Sequence, residues 1–501
     1  MPQHSKKALR YGGVTAFMTV LVVVLAILAN TILTTLATRY EWFIDMNPTL
    51  DYPMSDSGFA YLDTYVIPTA RASGEKIEII FCNEEDAIKA SATQKLVYDT
   101  VTELAAAYPD VIDIQYLNIW EQPSIARGYG IQSASAVVVK HREAFRTCSP
   151  RDFFVFDTTD DTTPVAYAGE RRLAIAMKSV VDNHIPVCYL TLNHGESFPD
   201  DALMQTLVDA GYTVNFLDAV SFDIPDDCAL LVTFNPSQDF AVTDSVSGIS
   251  EIDRLNEYMA RGGRHMVFAS ADTFAAGSFD NLEAYLSAWG VVFEHEAGAG
   301  GVEACYSIKD PHHALTVDGY TILGRIPTAG RGATLMANVR DTVRVANATG
   351  IAIADGFTAN GSGDYVSGDR TVTPLLTSFA GAEAWVSGRA VDRTEDGYTL
   401  VTMTDDTATG AHLMVAASVD IASKDSLDTV AYDNATFLLS AIEGMGKDDI
   451  PVTLFARPFA DESIHILTTS DARTLTLVLT VLPAVAVGVV GLVILIRRKR
   501  A

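Results

Sequence analysis

Two uncharged ends constrain this 501-residue chain more than anything between them. Residues 14–33 read VTAFMTVLVVVLAILANTIL and residues 475–496 read LTLVLTVLPAVAVGVVGLVILI, without a charged side chain in either. At helical rise each covers about 30 Å, the thickness of a bilayer's hydrocarbon core, and a helix satisfies its own backbone where water is absent. The pattern predicts transmembrane helices over residues 14–36 and 473–496. Pro483, Gly488 and Gly491 in the second are tolerated in lipid, and Ala484, Gly488 and Gly491 offer a face of small residues on which another helix could pack. Lys6, Lys7 and Arg10 precede the first span, while Arg497, Arg498, Lys499 and Arg500 follow the second. Basic clusters mark cytoplasmic flanks, so the expectation is a two-pass plasma-membrane protein. Its short ends, 1–13 and 497–501, are cytoplasmic and its large middle is extracellular or periplasmic. Tyr40, Trp42 and Phe43 then fall at the outer headgroup level, where amphipathic rings sit. The first apolar run is too long for a signal peptide and lacks a clear small-x-small cleavage site, which favours an uncleaved anchor.

The body between the spans is acidic. The formal charge is −28 even with the basic ends included. Such a surface repels nucleic acid and anionic headgroups, so partners of that kind are not expected. At 49% hydrophobic residues the chain can bury substantial cores. Cys82, Cys148, Cys188, Cys228 and Cys305 are odd in number, scattered and without a CxxC pair, which argues against a disulfide scaffold or a zinc site. They read as small core residues.

Periodicity divides the middle. In the membrane-proximal segment, 37–74, Ser55 or Asp56 is placed to cap a short amphipathic helix bearing Phe59, Leu62 and Val66. Strand-like KIEIIFC, helical SATQKLVYDTVTELAAAYPD and alternating VIDIQYLNIW then give a β-α-β order, and a further strand follows at SASAVVVK. This predicts a smaller, thioredoxin-like α/β domain within 75–184, without the CxxC of redox work. The loop carrying Asp157, Asp160 and Asp161 could hold calcium but lacks EF-hand spacing. Over 185–300, strands at IPVCYLTL, YTVNFLDA, CALLVTFNP and RHMVFAS alternate with helices, which predicts a central parallel sheet covered on both faces. From 301 to 472 the pattern weakens into an α+β extension that could continue the same sheet.

Within the central unit LTLNHGESFPDD, residues 190–201, brings His194, Gly195, Glu196 and Ser197 together after a strand. Loops at the carboxyl ends of parallel strands border the crevice where ligands bind, so these residues are candidates for ligand or partner contact. Gly195 permits a tight turn, Asp200 or Asp201 can cap the next helix, and Glu196 can accept backbone N–H bonds. The plainer reading is that His194 and Glu196 only pin the loop. An acid/base role lacks a neighbouring nucleophile or metal ligand. The G-x-S-x-G, H-E-x-x-H and G-x-x-x-x-G-K-[ST] motifs are missing, so no catalytic residue, metal or cofactor is expected. His312 and His313 read as loop residues, and the glycines of ARGGRHMVFAS as a helix C-cap rather than a phosphate turn.

The order of these parts is similar to the GldG-like family. The residues that carry the likeness are Asn30 near the end of the first span, a Ser-Asp helix, Gly169 and Glu170 before a helix, and a strand ending in HGE. YMARGGRHMVF closing on LSAWGV, DNATFLLSAI, and a final span with Pro483, Gly491 and an Arg-Arg end complete it. Members are bacterial extracytoplasmic auxiliary subunits of ABC-type transport systems, first associated with gliding motility. The resemblance implies a separate ATPase and a multi-span permease as partners, besides the bilayer and an unknown substrate or envelope component. It also implies that the central sheet is of the class I glutamine-amidotransferase-like, flavodoxin type, without a catalytic cysteine elbow. The chain departs from the family pattern at Asn193, where Gly is common, and in the acidic Gly/Thr-rich stretch 350–369. The rival readings are a cell-envelope hydrolase or amidase using His194 and Glu196, or a structural envelope protein.

Overall fold

A helix, Asp56–Tyr65 (α1), begins where Ser55 accepts the Gly58 N–H on its hydroxyl, and Leu62 and Val66 on its inner side are fully buried. The computed structural model describes residues 52–459 apart from 157–161, 199, 242–247, 249, 276–278, 298–302, 394–395, 430 and 448. These form one compact unit, distinct from residues 1–51. Among the described residues no helix is long and apolar enough to cross a membrane. The expected spans at 14–36 and 473–496, and the acidic loop with Asp157, Asp160 and Asp161, lie outside the described residues.

The described residues are mixed α/β. In the smaller lobe, strand Ile77–Phe81 (β1), helix Ala92–Ala107 (α2) and strand Ile112–Tyr116 (β2) make a parallel unit. Strands Val137–His141 (β3) and Ala144–Cys148 (β4) add antiparallel beside β1, giving the order β2-β1-β3-β4. Ser91 caps α2, whose Leu96, Val97, Val101 and Leu104 face the sheet at helical spacing. Helix Gly169–Asp182 (α3) is buried along nearly its whole length, covering β3 and β4 before leading into the larger lobe.

The larger sheet grows around strand Val187–Leu192 (β5). Helix Ala202–Asp209 (α4) leads to Thr213–Asp218 (β6); Cys228–Phe234 (β7), helix Glu251–Ala260 (α5), Arg264–Phe268 (β8) and helix Asp280–Ala288 (α6) follow. Three later strands, Arg370–Thr377 (β9), Thr399–Asp406 (β10) and Ala411–Ala416 (β11), complete its main body, and Asn434–Gly444 (α7) packs beneath. The strand order is β6-β5-β7-β8-β11-β10-β9, parallel from β6 to β11 and antiparallel beyond. Successive strand residues divide between two cores. Leu230, Val232, Phe234, Met266 and Phe268 meet α4 and α7, whereas Leu231, Val267, Leu413 and Val415 meet α5 and α6. The last parallel strand, β11, is supplied by the region read as an irregular extension, which therefore does continue the central sheet.

Candidate functional site

The NHGES stretch leaves the carboxyl end of β5, where two positive φ angles, 78° at Asn193 and 70° at Gly195, fold it back on itself. Asparagine tolerates this conformation through its short polar side chain. A Cβ at Gly195 would lie 2.0 Å from Ser237 Oγ, so the next strand's loop is packed directly on the turn.

His194 points inward. Its side chain is 2% exposed, with Nδ1 3.0 Å from Glu196 Oε1 and Nε2 2.8 Å from Glu251 Oε1. Its ring stacks on Phe240 at 4.1 Å. Glu196 Oε2 also accepts the backbone N–H of His194 at 2.8 Å, and Glu251 accepts that of Ala241. The carbonyl of His194 takes N–H bonds from Ser237 and Gln238 at 2.8 and 2.9 Å. Burial alone would discharge the imidazole, but the two carboxylates outweigh it and push the pKa up to about 9. For Glu196 burial again opposes charge, and the His194 hydrogen bond overcomes it, holding the carboxyl below its ordinary range. The result is an imidazolium between two carboxylates, joining the loops after β5 and β7 to the start of α5. Both ring nitrogens are occupied, so no substrate proton is within their reach.

Glu251 is the partner that sequence reasoning missed. It stands at the first position of α5, after the Ser250 cap, where an acidic residue reads as a helix-dipole contribution. No local spacing connects it with His194; only its burial in the amphipathic helix hints at more. Asp200, one of two expected caps, accepts the Ala202 N–H at 3.0 Å and also binds Lys424 N–H at 2.9 Å.

The outer side of this knot is a cleft. Gly195 and Ser197 are exposed, and with Asn235, Thr273, Asn347 and Asp420 they border a cavity of about 360 Å³. It lies off the carboxyl ends of β5, β7, β8 and β11, at the point where the strand order reverses direction between β5 and β7. Asn235 and Asn347 hold φ of 48° and 49°, and Asn235 Oδ1 accepts from Thr273 Oγ1 at 2.8 Å. Thus of the four candidate residues, Gly195 and Ser197 face the cleft, and His194 and Glu196 hold its floor.

No family model matches the chain, and no curated protein matches it. Solved structures show faint likeness. The "mmIFT52 N-terminal domain" aligns with TM-score 0.35 and 11% identity over 52% of this chain and 97% of its own. The "Cytoplasmic Protein STM3548 from Salmonella typhimurium" aligns with TM-score 0.26 and 10% identity over 54% of this chain and 99% of its own.

Cys188 is fully buried within β5, and burial raises its pKa well above the ordinary thiol value, so it is a packing residue. Gly262 and Gly263 cap the end of α5 through N–H bonds to Met259 and Tyr258 carbonyls. His313 is a loop residue, stacked on Phe379 at 3.9 Å and bonded to buried Asp310 at 3.0 Å. Among the described residues no group of three His, Cys, Asp or Glu is disposed to hold a metal ion.

Proposed function

We propose that this chain is a membrane-anchored extracytoplasmic auxiliary subunit, binding or coupling, of an ABC-type transport system working with a separate ATPase and permease. The observation that carries the reading is the meeting of the body's two ends. Tyr52 and Phe459 pack ring to ring at 5.6 Å, and Tyr52 Oη reaches the Pro458 carbonyl at 3.3 Å. Glu170 clasps both ends: it accepts from the backbone and hydroxyl of Ser55, and its Oε2 is 3.2 Å from Arg457 Nη2. Arg457 also donates to the Pro53 carbonyl at 2.6 Å. A body whose ends emerge side by side suits anchoring by two helices entering one small patch of bilayer. Two spans are too few to form a channel, and the sequence has no phosphate-binding loop, so transport and ATP hydrolysis fall to partners.

The finer fold reading belongs with this proposal. The parallel strands of the larger sheet run 2-1-3-4-5 in chain order, as in flavodoxin-like folds, which supports a class I glutamine-amidotransferase-like unit without its cysteine elbow. The order β2-β1-β3-β4 followed by α3 supports a thioredoxin-like smaller lobe. The cleft bordered by Gly195 and Ser197 is then the surface for a transported substrate or envelope component. The enzyme alternative loses support because His194 and Glu196 spend their polar atoms on each other and on the scaffold.

The test is expression of the full chain at native level and tagged purification from detergent-solubilised membranes. An ATPase and a multi-span permease should co-purify, and protease added to intact cells, or to spheroplasts, should cleave the body. Recovery in the soluble fraction, or a protease-resistant body in spheroplasts with no such partners, overturns the reading.

A further inference from the structure

Away from the cleft, two short antiparallel strands, His295–Ala297 and Glu303–Cys305, place His295 directly opposite Cys305. Cross-strand neighbours of this kind hold their side chains in contact, and here Cys305 Sγ lies 3.3 Å from His295 Nδ1. The other ring nitrogen, Nε2, is 2.9 Å from Glu283 Oε1, in the first turn of α6. Thiol at Nδ1 and carboxylate at Nε2 is the arrangement in which a charged imidazole favours a thiolate while a third group fixes the ring's orientation. The pair is near the surface: the His295 and Glu283 side chains are 17% and 31% exposed, and Glu283 lines an open cleft of about 300 Å³. All five cysteines are free; Cys305 is partly exposed, while Cys82, Cys148, Cys188 and Cys228 are buried.

We infer that Cys305 is an activated thiol that takes up a small disulfide, with His295 Nδ1–H donating to its thiolate and Glu283 orienting His295. The thiol proton passes to solvent. The thiolate attacks one sulfur of the incoming disulfide; the Cys305 S–S bond forms, the reagent's S–S bond breaks, and the departing thiolate takes a proton from solvent. One small disulfide and one protein thiol become one mixed disulfide and one small thiol, with no other oxidant. Thiol–disulfide exchange needs a thiolate and access; an imidazole N–H at 3.3 Å favours the first, and the partial exposure of Cys305 gives the second. The hydrogen bond to Cys305 first, and Glu283 next, hold the His295 pKa up at about 10 against the effect of burial, so the ring is charged at neutral pH. The other packed element is the helix Ala271–Ala275, which lies against the Cys305 strand and brings Asp272. The inference is independent of the transport reading, because Cys305, His295 and Glu283 do not border the cleft beside Ser197.

The experiment uses the full chain in detergent with dithiodipyridine, a neutral disulfide whose released thione is followed by absorbance. At about pH 6 an ordinary thiol is less than about 1% ionised, so a single fast-reacting thiol should stand out, and peptide mapping should place the adduct on Cys305. Cys305→Ser should abolish the fast phase. His295→Ala should slow it about tenfold at that pH yet match wild type near pH 9, where any exposed thiol ionises, a convergence that simple loss of structure would not produce. If His295→Ala exposes all the thiols at once, Glu283→Gln, expected to slow the reaction less, takes its place. A fast phase that survives Cys305→Ser, a rate no faster than that of free glutathione at about pH 6, or equal wild-type and variant rates there overturns the inference.

Discussion

His194 carries the charge balance of the cleft floor, and its removal leaves two buried carboxylates without their shared partner. His194→Ala leaves the Glu196 and Glu251 carboxylates facing one another with side-chain exposure of only 1%, so the expected loss is about 3–5 kcal/mol by urea denaturation. A loss under about 1 kcal/mol would mean that the ion triad does not hold the loops. His194 and His265 contribute to the pH dependence with opposite sign, beside His295 on the alkaline side and His412 on the acid side. His194 keeps its proton to about pH 9 in the fold against 6.5 in the unfolded chain, so its stabilisation is whole below 6.5 and disappears as pH rises through 9. His265 is buried between Thr233 Oγ1 at 3.0 Å and Tyr285 Oη at 3.1 Å, and burial lowers its pKa to about 3. It stays neutral in the fold while the unfolded chain takes up a proton below 6.5, so stability falls as pH drops from 6.5 towards 3. Unfolding free energy should therefore decline on both sides of that pH, by at most about 1.4 kcal/mol per pH unit from each group. His194→Gln should make the alkaline limb shallower and His265→Gln the acid limb; unchanged limbs in the two variants would refute the assignment. The sequence made His194 conspicuous by its neighbours Gly195 and Glu196, but Glu251, 57 residues away, is joined to it only by the fold.

At the level of elements, the turn after β5 combines a backbone requirement with a packing one. Gly195→Ala meets both: a φ of 70°, and a methyl group within 2.0 Å of Ser237 Oγ. The expected cost is about 1–3 kcal/mol. Adding Ser237→Ala should recover the steric part and leave the backbone part of about 1 kcal/mol, which denaturation of the double variant would measure. Full recovery would mean that the left-handed conformation is not strained. Most elements here were legible because their periodicities are strong. The 3.6-residue spacing of Leu96, Val97, Val101 and Leu104 announced α2, and the uninterrupted apolar run of β7 announced a strand buried on both faces. The place of β11 was harder to read. Its residues, 411–416, form an apolar strand like any other, and local pattern carries no information about which neighbour a strand pairs with.

For the whole molecule, the clasp at Glu170 sets where the body's ends leave it. Its carboxylate occupies the space beside Gly58, where a Cβ would stand 2.0 Å from Oε1, so Gly58 and Glu170 form one packed unit. Glu170→Ala should release Ser55 and Arg457 together, raising amide exchange at residues 55–61 and 457–459 in parallel by a local free energy of about 1–3 kcal/mol, with the α2 core unaffected. Loosening at one end alone would show that the ends are held separately. What the sequence by itself determined is the set of properties that depend on neighbours along the chain: two uncharged apolar runs near its ends, an acidic composition between them, α/β alternation, and a polar loop after β5. Tertiary structure alone decided the order of the strands, the pairing of His194 with Glu251, the division of the loop into buried floor and exposed cleft, and the meeting of Tyr52 with Phe459. These depend on contacts between distant residues, and the free energy of such contacts comes from burial and charge pairing that exist only once the chain has closed on itself.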